Sequence, residues 1–106
     1  MGVTKSELFS DFHNRLATMA KALGHPARIA ILEQLIKNGK CACGDVVDQL
    51  PLAQSTVSQH LKAMKEAGII KTHEDGALQC YCINTEECNK LWSTLSKLFS
   101  DIKNCC

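Results

Sequence analysis

The side chains with the greatest chemical potential in this chain are its seven cysteines. Thiolates bind soft, thiophilic ions, and paired thiols can also be oxidised to disulfides. Since the cytosol keeps thiols reduced, the pattern favours metal ligands or reactive thiols over a disulfide framework. The cysteines form three close pairs and one single residue: Cys41 with Cys43, Cys80 with Cys82, Cys105 with Cys106, and Cys88 alone.

The spacing within two of these pairs restricts the backbone around them. Residues two apart on a helix point about 200° away from each other, so Cys41 and Cys43 can share one ion only from extended or unwound backbone, which Gly44 permits. On a strand, Cys80 and Cys82 share one face, with Cα atoms about 6.6 Å apart. Packing of small side chains is the alternative for this second pair. Trigonal thiolate coordination needs three sulfurs, so at least two of the three pairs must cooperate.

The composition indicates a single globular domain, residues 1–106. The chain has 106 residues, of which 45% are hydrophobic and 22% charged, as is typical of one domain. Its net charge of +1 does not indicate a partner, so only local clusters of charge are informative. No run approaches the roughly 20 apolar residues of a membrane span, and the N-terminal sequence lacks the apolar core of a secretory signal. We therefore expect a cytoplasmic protein with no membrane partner and no obligatory cofactor.

The apolar periodicity predicts a mainly α-helical fold with a β-hairpin, in the order ααααββα. Apolar residues recur at helical intervals in five segments, and Gly or Pro separates most of them. Two strands, residues 69–73 and 78–84, surround an Asp75-Gly76 turn, which is a strong hairpin signal. The predicted helices span residues 5–23, 26–38, about 45–50, 54–67 and 85–102.

The first and last predicted helices carry more apolar surface than a domain of this size can cover internally. Pairing them across a twofold axis would bury the excess. We therefore expect a homodimer in which these two helices are the dimerisation elements. The apolar residues are Phe9, Phe12, Leu16, Met19 and Leu23 in the first helix, and Leu91, Trp92, Leu95, Leu98, Phe99 and Ile102 in the last.

Residues 44–67 predict a helix-turn-helix reading element, because a short helix, a turn containing Pro51 and a second helix follow one another. In this arrangement the second helix enters the major groove of DNA, and the hairpin at residues 69–84 forms a wing beside it. Three lysines and one glutamate between residues 54 and 73 give this region a positive charge suited to phosphate. A solvated polar helix face is the alternative. The predicted DNA contacts are Gln54, Ser55, Thr56, Ser58, Gln59, His60, Lys62, Lys65, Lys71 and His73.

Three stretches of the sequence resemble one known family. ALGHPARIAILEQL, PLAQSTVSQHLKAMKEAGII and CYCIN closely resemble, in the same order and spacing, segments of the ArsR/SmtB family of metal-sensing bacterial repressors. The resemblance covers residues 12–102. It implies a homodimer of winged helix-turn-helix domains that binds an operator of twofold symmetry in double-stranded DNA and is released when an inducer binds.

The resemblance also bears on the inducer. Family sensors of arsenic, antimony, cadmium and lead use a Cys-x-Cys at the start of the third helix. CACGDV is similar but displaced by one residue, since the family's cysteines would fall on Ala42 and Gly44. Some arsenic sensors use cysteines near the C-terminus, whereas zinc sensors use histidines in the last helix. The last predicted helix of this chain contains no histidine. The implied inducer is As(III) or Sb(III), bound by two of the three cysteine pairs, with Cys41 and Cys43 preferred.

Two other functions were weighed from the residues. A repressor of the same fold could respond to oxidation or persulfide by forming a disulfide or polysulfide link instead of binding a metal ion. A thiol enzyme or metal-trafficking protein would need no reading element. The chain also has no Cys-x-x-Cys and no His/Asp arrangement that would support nucleophilic catalysis. We therefore expect a repressor and not an enzyme.

Overall fold

A computed structural model describes residues 5–44 and 50–105. In this part of the chain, four α-helices and three strands follow a short 3₁₀ helix. The predicted helix at about residues 45–50 falls almost entirely on residues 45–49, which lie outside the described part. The elements are the 3₁₀ helix Lys5–Leu8, α1 Asp11–Leu23, α2 Pro26–Lys37, β1 Cys41–Cys43, α3 Gln54–Glu66, β2 Ile70–Asp75, β3 Leu78–Ile83 and α4 Thr85–Asn104.

Side-chain caps define the starts of three of these helices. Ser10, His25 and Asn84 each accept a hydrogen bond from a backbone N–H in the first turn of α1, α2 and α4. Such caps satisfy donors that have no partner within the helix. Helix α3 follows Ala53, which provides no side-chain cap.

The core lies where α2 and α3 meet the start of the sheet. Within α2, Ile29 and Ile36 are exposed, whereas Ile31 and Leu35 are buried. Burial of aliphatic side chains stabilises a fold by about 1.5–3 kcal/mol each. The fully buried side chains are Ile31 and Leu35 of α2, Val57, Leu61 and Met64 of α3, and Ile69 and Ile70 at the start of the hairpin.

The three strands form one antiparallel sheet in the order β1-β3-β2. Strands β2 and β3 are the predicted wing hairpin, and Gly76 at their turn has a φ of 65°, which favours glycine. Gly68, with a φ of 86°, ends α3 with the predicted left-handed cap. Strand β1 was not predicted, and it extends the two-stranded wing to a three-stranded sheet. The predicted winged arrangement of a helix followed by a hairpin is otherwise confirmed.

Helices α1 and α4 leave much of their apolar surface uncovered. Leu91 of α4 and Met19 of α1 contribute to the core, whereas Trp92 is 71% exposed. Across residues 5–44 and 50–105, no helix is both long enough and apolar enough to cross a membrane. The exposed apolar residues on these helices and just before them are Leu8, Phe9, Phe12, Trp92, Leu98, Phe99 and Ile102.

Candidate nucleic-acid interface and thiol site

The inner face of α3 is fixed by the core, and this fixes which residues the helix presents outward. Val57, Leu61 and Met64 are buried at spacings of four and three, which is one face of a helix. The opposite face therefore points away from the domain. Six of the predicted DNA contacts on this helix are exposed: Gln54, Ser55, Ser58, Gln59, Lys62 and Lys65. Thr56 is half-buried.

A groove separates α3 from the wing. Ser58, Lys62 and Lys65 line it from α3, and Thr72 and Gln79 line it from the sheet. Both lysines place positive charge where a phosphate backbone would pass between helix and wing. The hydroxyl and amide groups add hydrogen-bonding capacity beside that charge.

His60 lies at the contact between α3 and α2. Its Nδ1 accepts a hydrogen bond of 3.1 Å from Nε of Arg28, and its ring centroid is 4.4 Å from that of His25. Burial lowers the pKa of His60, and the charges of His25 and Arg28 lower it further. The ring accepts this hydrogen bond and so joins the two helices, while its DNA contact stays a prediction.

Lys71 and His73 lie on the other face of the sheet from α3. Lys71 is directly opposite Cys82, and His73 is directly opposite Cys80, so each pair shares a face of the sheet. Nδ1 of His73 is 3.6 Å from Sγ of Cys82. The sequence predicted both residues as DNA contacts, and the structure brings them to the cysteines.

Strands β1 and β3 bring two cysteine pairs together. In this ladder Cys41 is opposite Cys82 and Cys43 is opposite Cys80, with Cα separations of 4.1 Å and 4.0 Å. Each opposing pair is joined by a disulfide. The cysteine pattern predicted metal ligands or reactive thiols in preference to disulfides, and the structure differs because the two Cys-x-Cys segments face each other across the ladder.

The hydrogen bonds at the two ends of this ladder explain the close approach. The N–H of Ile83 donates to the carbonyl of Lys40 at 2.9 Å, and the N–H of Gly44 donates to the carbonyl of Gln79 at 3.3 Å. Hydrogen-bonded and non-hydrogen-bonded positions alternate along an antiparallel pair. The cysteine pairs therefore occupy non-hydrogen-bonded positions, where opposing side chains are closest.

The four sheet cysteines, Cys41, Cys43, Cys80 and Cys82, differ in accessibility. Cys80 is 0% and Cys82 5% exposed, whereas the two cysteines of β1 are half-buried. Tyr81 packs against the core from the opposite face of β3, so both faces of this strand are covered. A reagent from solvent would therefore meet the β1 sulfurs first.

The remaining cysteines lie on α4 and beyond it. Cys88 is half-buried and its Sγ donates to the carbonyl of Ile69 at 3.5 Å. Burial raises the pKa of the Cys88 thiol, and the charge of Glu87 raises it further. Cys105 is exposed at the end of α4, where its Sγ donates to the carbonyl of Ile102 at 3.1 Å. The predicted ligand Cys106 lies outside the described residues.

The sulfurs of the sheet can serve as metal ligands only after reduction. Within residues 5–44 and 50–105, no group of three or more His, Cys, Asp or Glu side chains is arranged to hold a metal ion. A metal or metalloid is bound by thiolates, and a disulfide has none to offer. Reduction of the sheet cysteines would leave four sulfurs on one face of two adjacent strands, a soft donor set that suits a thiophilic ion.

The chain is similar to known bacterial regulators in sequence. Residues 25–72 match the arsR family of bacterial regulatory proteins. The arsenical resistance operon repressor of Bacillus subtilis (strain 168) is 33% identical over 93 residues, which cover 88% of this chain and 85% of that protein.

Solved structures share the fold. An ArsR-like transcriptional regulator from Rhodococcus sp. RHA1 superposes with a TM-score of 0.76 at 23% identity, over 89% of this chain and 88% of that one. The homodimeric winged helix-turn-helix DNA-binding domain from Mycobacterium bovis superposes with a TM-score of 0.66 at 22% identity, over 95% and 90%. From its sequence and fold together, the chain belongs to the ArsR family and is a DNA-binding transcriptional repressor, not an enzyme.

Proposed function

We propose that this repressor acts as a homodimer that leaves its operator when a thiophilic inducer, arsenite or antimonite, binds cysteine thiolates. The observation that carries the proposal is the position of the four sheet cysteines. They link β3, a strand of the wing, to β1, the strand that precedes the reading helix α3 in the chain. A change at these sulfurs therefore acts on both DNA-contacting elements.

The exposed apolar surface of α1 and α4 supports the homodimer. Phe12 and Phe99 are 57% and 63% exposed, and isolated domains rarely leave so many large apolar side chains in water. The neighbour from Mycobacterium bovis with the same fold is homodimeric. Twofold symmetry would place two copies of α3 on two half-sites of a palindromic operator.

The sulfur chemistry and one relative support the choice of inducer. The Bacillus subtilis relative is an arsenical resistance operon repressor. Arsenous acid reacts with three thiols to form three As–S bonds and release three water molecules. Two cysteines from β1 and at least one from β3 would supply these thiols without a contribution from the end of α4.

The proposed mechanism is a shift in population between two conformations. Drawing sulfurs of β1 and β3 around one ion would alter the ladder that holds β1, and with it the approach of the chain to α3. The spacing of the two reading helices in the dimer would then no longer match the operator. By linkage, operator DNA should weaken inducer binding by the same factor.

The test is release from DNA by candidate inducers. The reduced protein is bound to a duplex that it has itself selected from a random-sequence pool, and arsenite, antimonite, cadmium, lead and zinc are titrated in. We expect release by arsenite and antimonite, its loss on replacing Cys41 and Cys43 by serine, and its retention in the matched Cys105→Ser, Cys106→Ser variant. Persistence of the complex at saturating arsenite and antimonite would refute the proposed inducers.

The two disulfides favour a second candidate function, a repressor released by oxidation or persulfide. In that case peroxide or persulfide alone would free the DNA, with no ion present. Adding these reagents to the same complex separates the two candidates.

A further inference from the structure

We propose that the four sheet cysteines form a thiol–disulfide site that gates the response. While Cys41–Cys82 and Cys43–Cys80 are bonded, the repressor stays on DNA and does not bind the inducer; once they are reduced, it can respond. The identity of the inducer rests on the proposed function, whereas the redox site rests on the geometry of the sheet.

The backbone of the ladder is suited to both bonds at once. Opposing Cα atoms are 4.1 Å and 4.0 Å apart. These separations are slightly shorter than the usual disulfide range of about 4.4–6.8 Å and far below the limit of about 7 Å beyond which two cysteines cannot be bridged without backbone movement. The diagonal combinations, such as Cys43 with Cys82, would span about 7–8 Å in a regular sheet. The register therefore selects the facing pairs.

The ammonium group of Lys71 favours reactive thiolates after reduction. Lys71 shares the cysteine face of the sheet and stands opposite Cys82. A thiolate is the nucleophile in thiol–disulfide exchange, and nearby positive charge stabilises it. The redox partner can reach the half-buried Cys41 and Cys43 first.

The oxidation step is an exchange with a low-molecular-weight disulfide such as oxidised glutathione. The Cys41 thiolate attacks one sulfur of that disulfide, forms a mixed disulfide and expels one glutathione thiolate. The Cys82 thiolate then attacks Sγ of Cys41 and expels the second. Two protein thiols are oxidised, one glutathione disulfide is reduced to two glutathione molecules, and the protons of the protein thiols pass to the departing thiolates. Cys43 and Cys80 react in the same way.

The bonded form keeps the DNA-binding arrangement but excludes the inducer. In this form the groove between α3 and the wing is lined by Lys62 and Lys65, and the fold matches that of DNA-binding neighbours. Its disulfide sulfurs have no thiol proton to exchange for an As–S bond. Oxidation should therefore preserve DNA binding and block arsenite.

The first experiment maps the bonds. The full-length protein is treated with oxidised glutathione, remaining thiols are alkylated, and trypsin is added. We expect peptides 41–62 and 72–90 to be joined by two bridges, with Cys88 alkylated. Two double variants sharpen the test: Cys41→Ser with Cys82→Ser leaves a facing pair and should form one bridge, whereas Cys41→Ser with Cys80→Ser leaves a diagonal pair and should not. Full alkylation of the oxidised wild type, or equal bridging in both variants, would overturn the site.

The second experiment measures arsenite-induced release of the selected duplex from oxidised and phosphine-reduced protein. We expect oxidation to raise the half-release concentration of arsenite about tenfold or more without releasing the DNA itself. The Cys105→Ser, Cys106→Ser variant should behave like wild type, and serine at all four sheet positions should abolish arsenite-induced release in either redox state.

The outcomes separate the two proposals. Equal release of oxidised and reduced wild type by arsenite would overturn the gating and leave the proposed function intact. Release by oxidised glutathione alone would also overturn the gating and favour the second candidate function. No release of the reduced protein by arsenite or antimonite would refute the proposed inducers and, with them, the gating, while the bond map still decides the redox site.

Discussion

The reading helix α3 is supported by two regions that differ in kind. On one side it packs against α2 through buried aliphatic side chains and the Arg28–His60 hydrogen bond. On the other side lies the wing, which packs against α3 through β2 and is tied to β1 by two disulfides on β3. The first support changes only with unfolding, whereas the second can be made and broken by cellular redox chemistry. A switch in this molecule therefore belongs on the sheet side.

The largest effect is expected when both disulfides of the sheet are removed. Replacing all four sheet cysteines by serine should lower the free energy of unfolding of the oxidised protein by about 6 kcal/mol. The first bond closes a loop of some forty residues in the unfolded chain and contributes about 4 kcal/mol, and the second closes a short ring and contributes about 2 kcal/mol. Urea denaturation with and without reductant measures this. Cys105→Ser is the matched control and should change little. Equal stability of oxidised and reduced wild type would remove the contrast between the two supports.

The next largest effect is expected when the packing of α3 against the core is weakened. Leu61 is 2% exposed, and Leu61→Ala should cost about 3 kcal/mol, since it leaves a cavity between α3 and the core. The loss should be the same with and without reductant. Leu78→Ala, at a 53% exposed position on β3, is the control and should cost less than about 1 kcal/mol. A cost for Leu61→Ala that depends on reductant would mean that the two supports are coupled.

A smaller effect is expected when only one of the two bonds is removed. With Cys41–Cys82 intact, the second bond closes only the short ring between the two pairs, so its loss should cost about 2 kcal/mol or less. Cys43→Ser with Cys80→Ser, unfolded in urea under oxidising conditions, gives the value. If this variant lost about 4 kcal/mol and the fourfold variant about twice as much, the two bonds would be acting as independent closures.

The smallest effect concerns pH at the α2 side. The pKa of His60 is lowered in the folded state by burial and by His25 and Arg28, so the unfolded chain binds a proton more readily. The stability from neutral His60 is present above the unfolded value of about 6.5 and is lost as the pH falls through the folded value. His60→Gln should therefore flatten the decline in stability between pH 7 and 5. A decline as steep as that of wild type would contradict this role for His60, and His13→Gln is the control.

The helices and the wing could be predicted from the sequence because their signals are local. The caps, the turn at Gly76 and the stripe of Val57, Leu61 and Met64 each lie within a few residues of the structure that they specify. The same stripe indicates the contact of His60 with α2, since it lies three residues after Val57 and four before Met64 on the same helical face.

The two disulfides could not be predicted from local signals. Strand β1 has three residues, too few to show a periodicity, and its existence depends on pairing with β3 about forty positions later in the chain. The equal Cys-x-Cys spacing of the two segments was the available signal. It indicates a ladder only once the two strands are known to be neighbours.

Because side chains alternate along β1, the expected one-residue offset of its cysteines from the family pattern decides which face of the sheet they occupy. On a helix, such an offset would turn a ligand by about 100°. On a strand it moves the ligand to the opposite face of the sheet. Ala42, where a family cysteine would fall, is buried in the core, whereas Cys41 and Cys43 face the sulfurs of β3. Cys41 and Cys43 therefore lie on the face of β1 opposite Ala42, where they meet the sulfurs of β3 instead of the core.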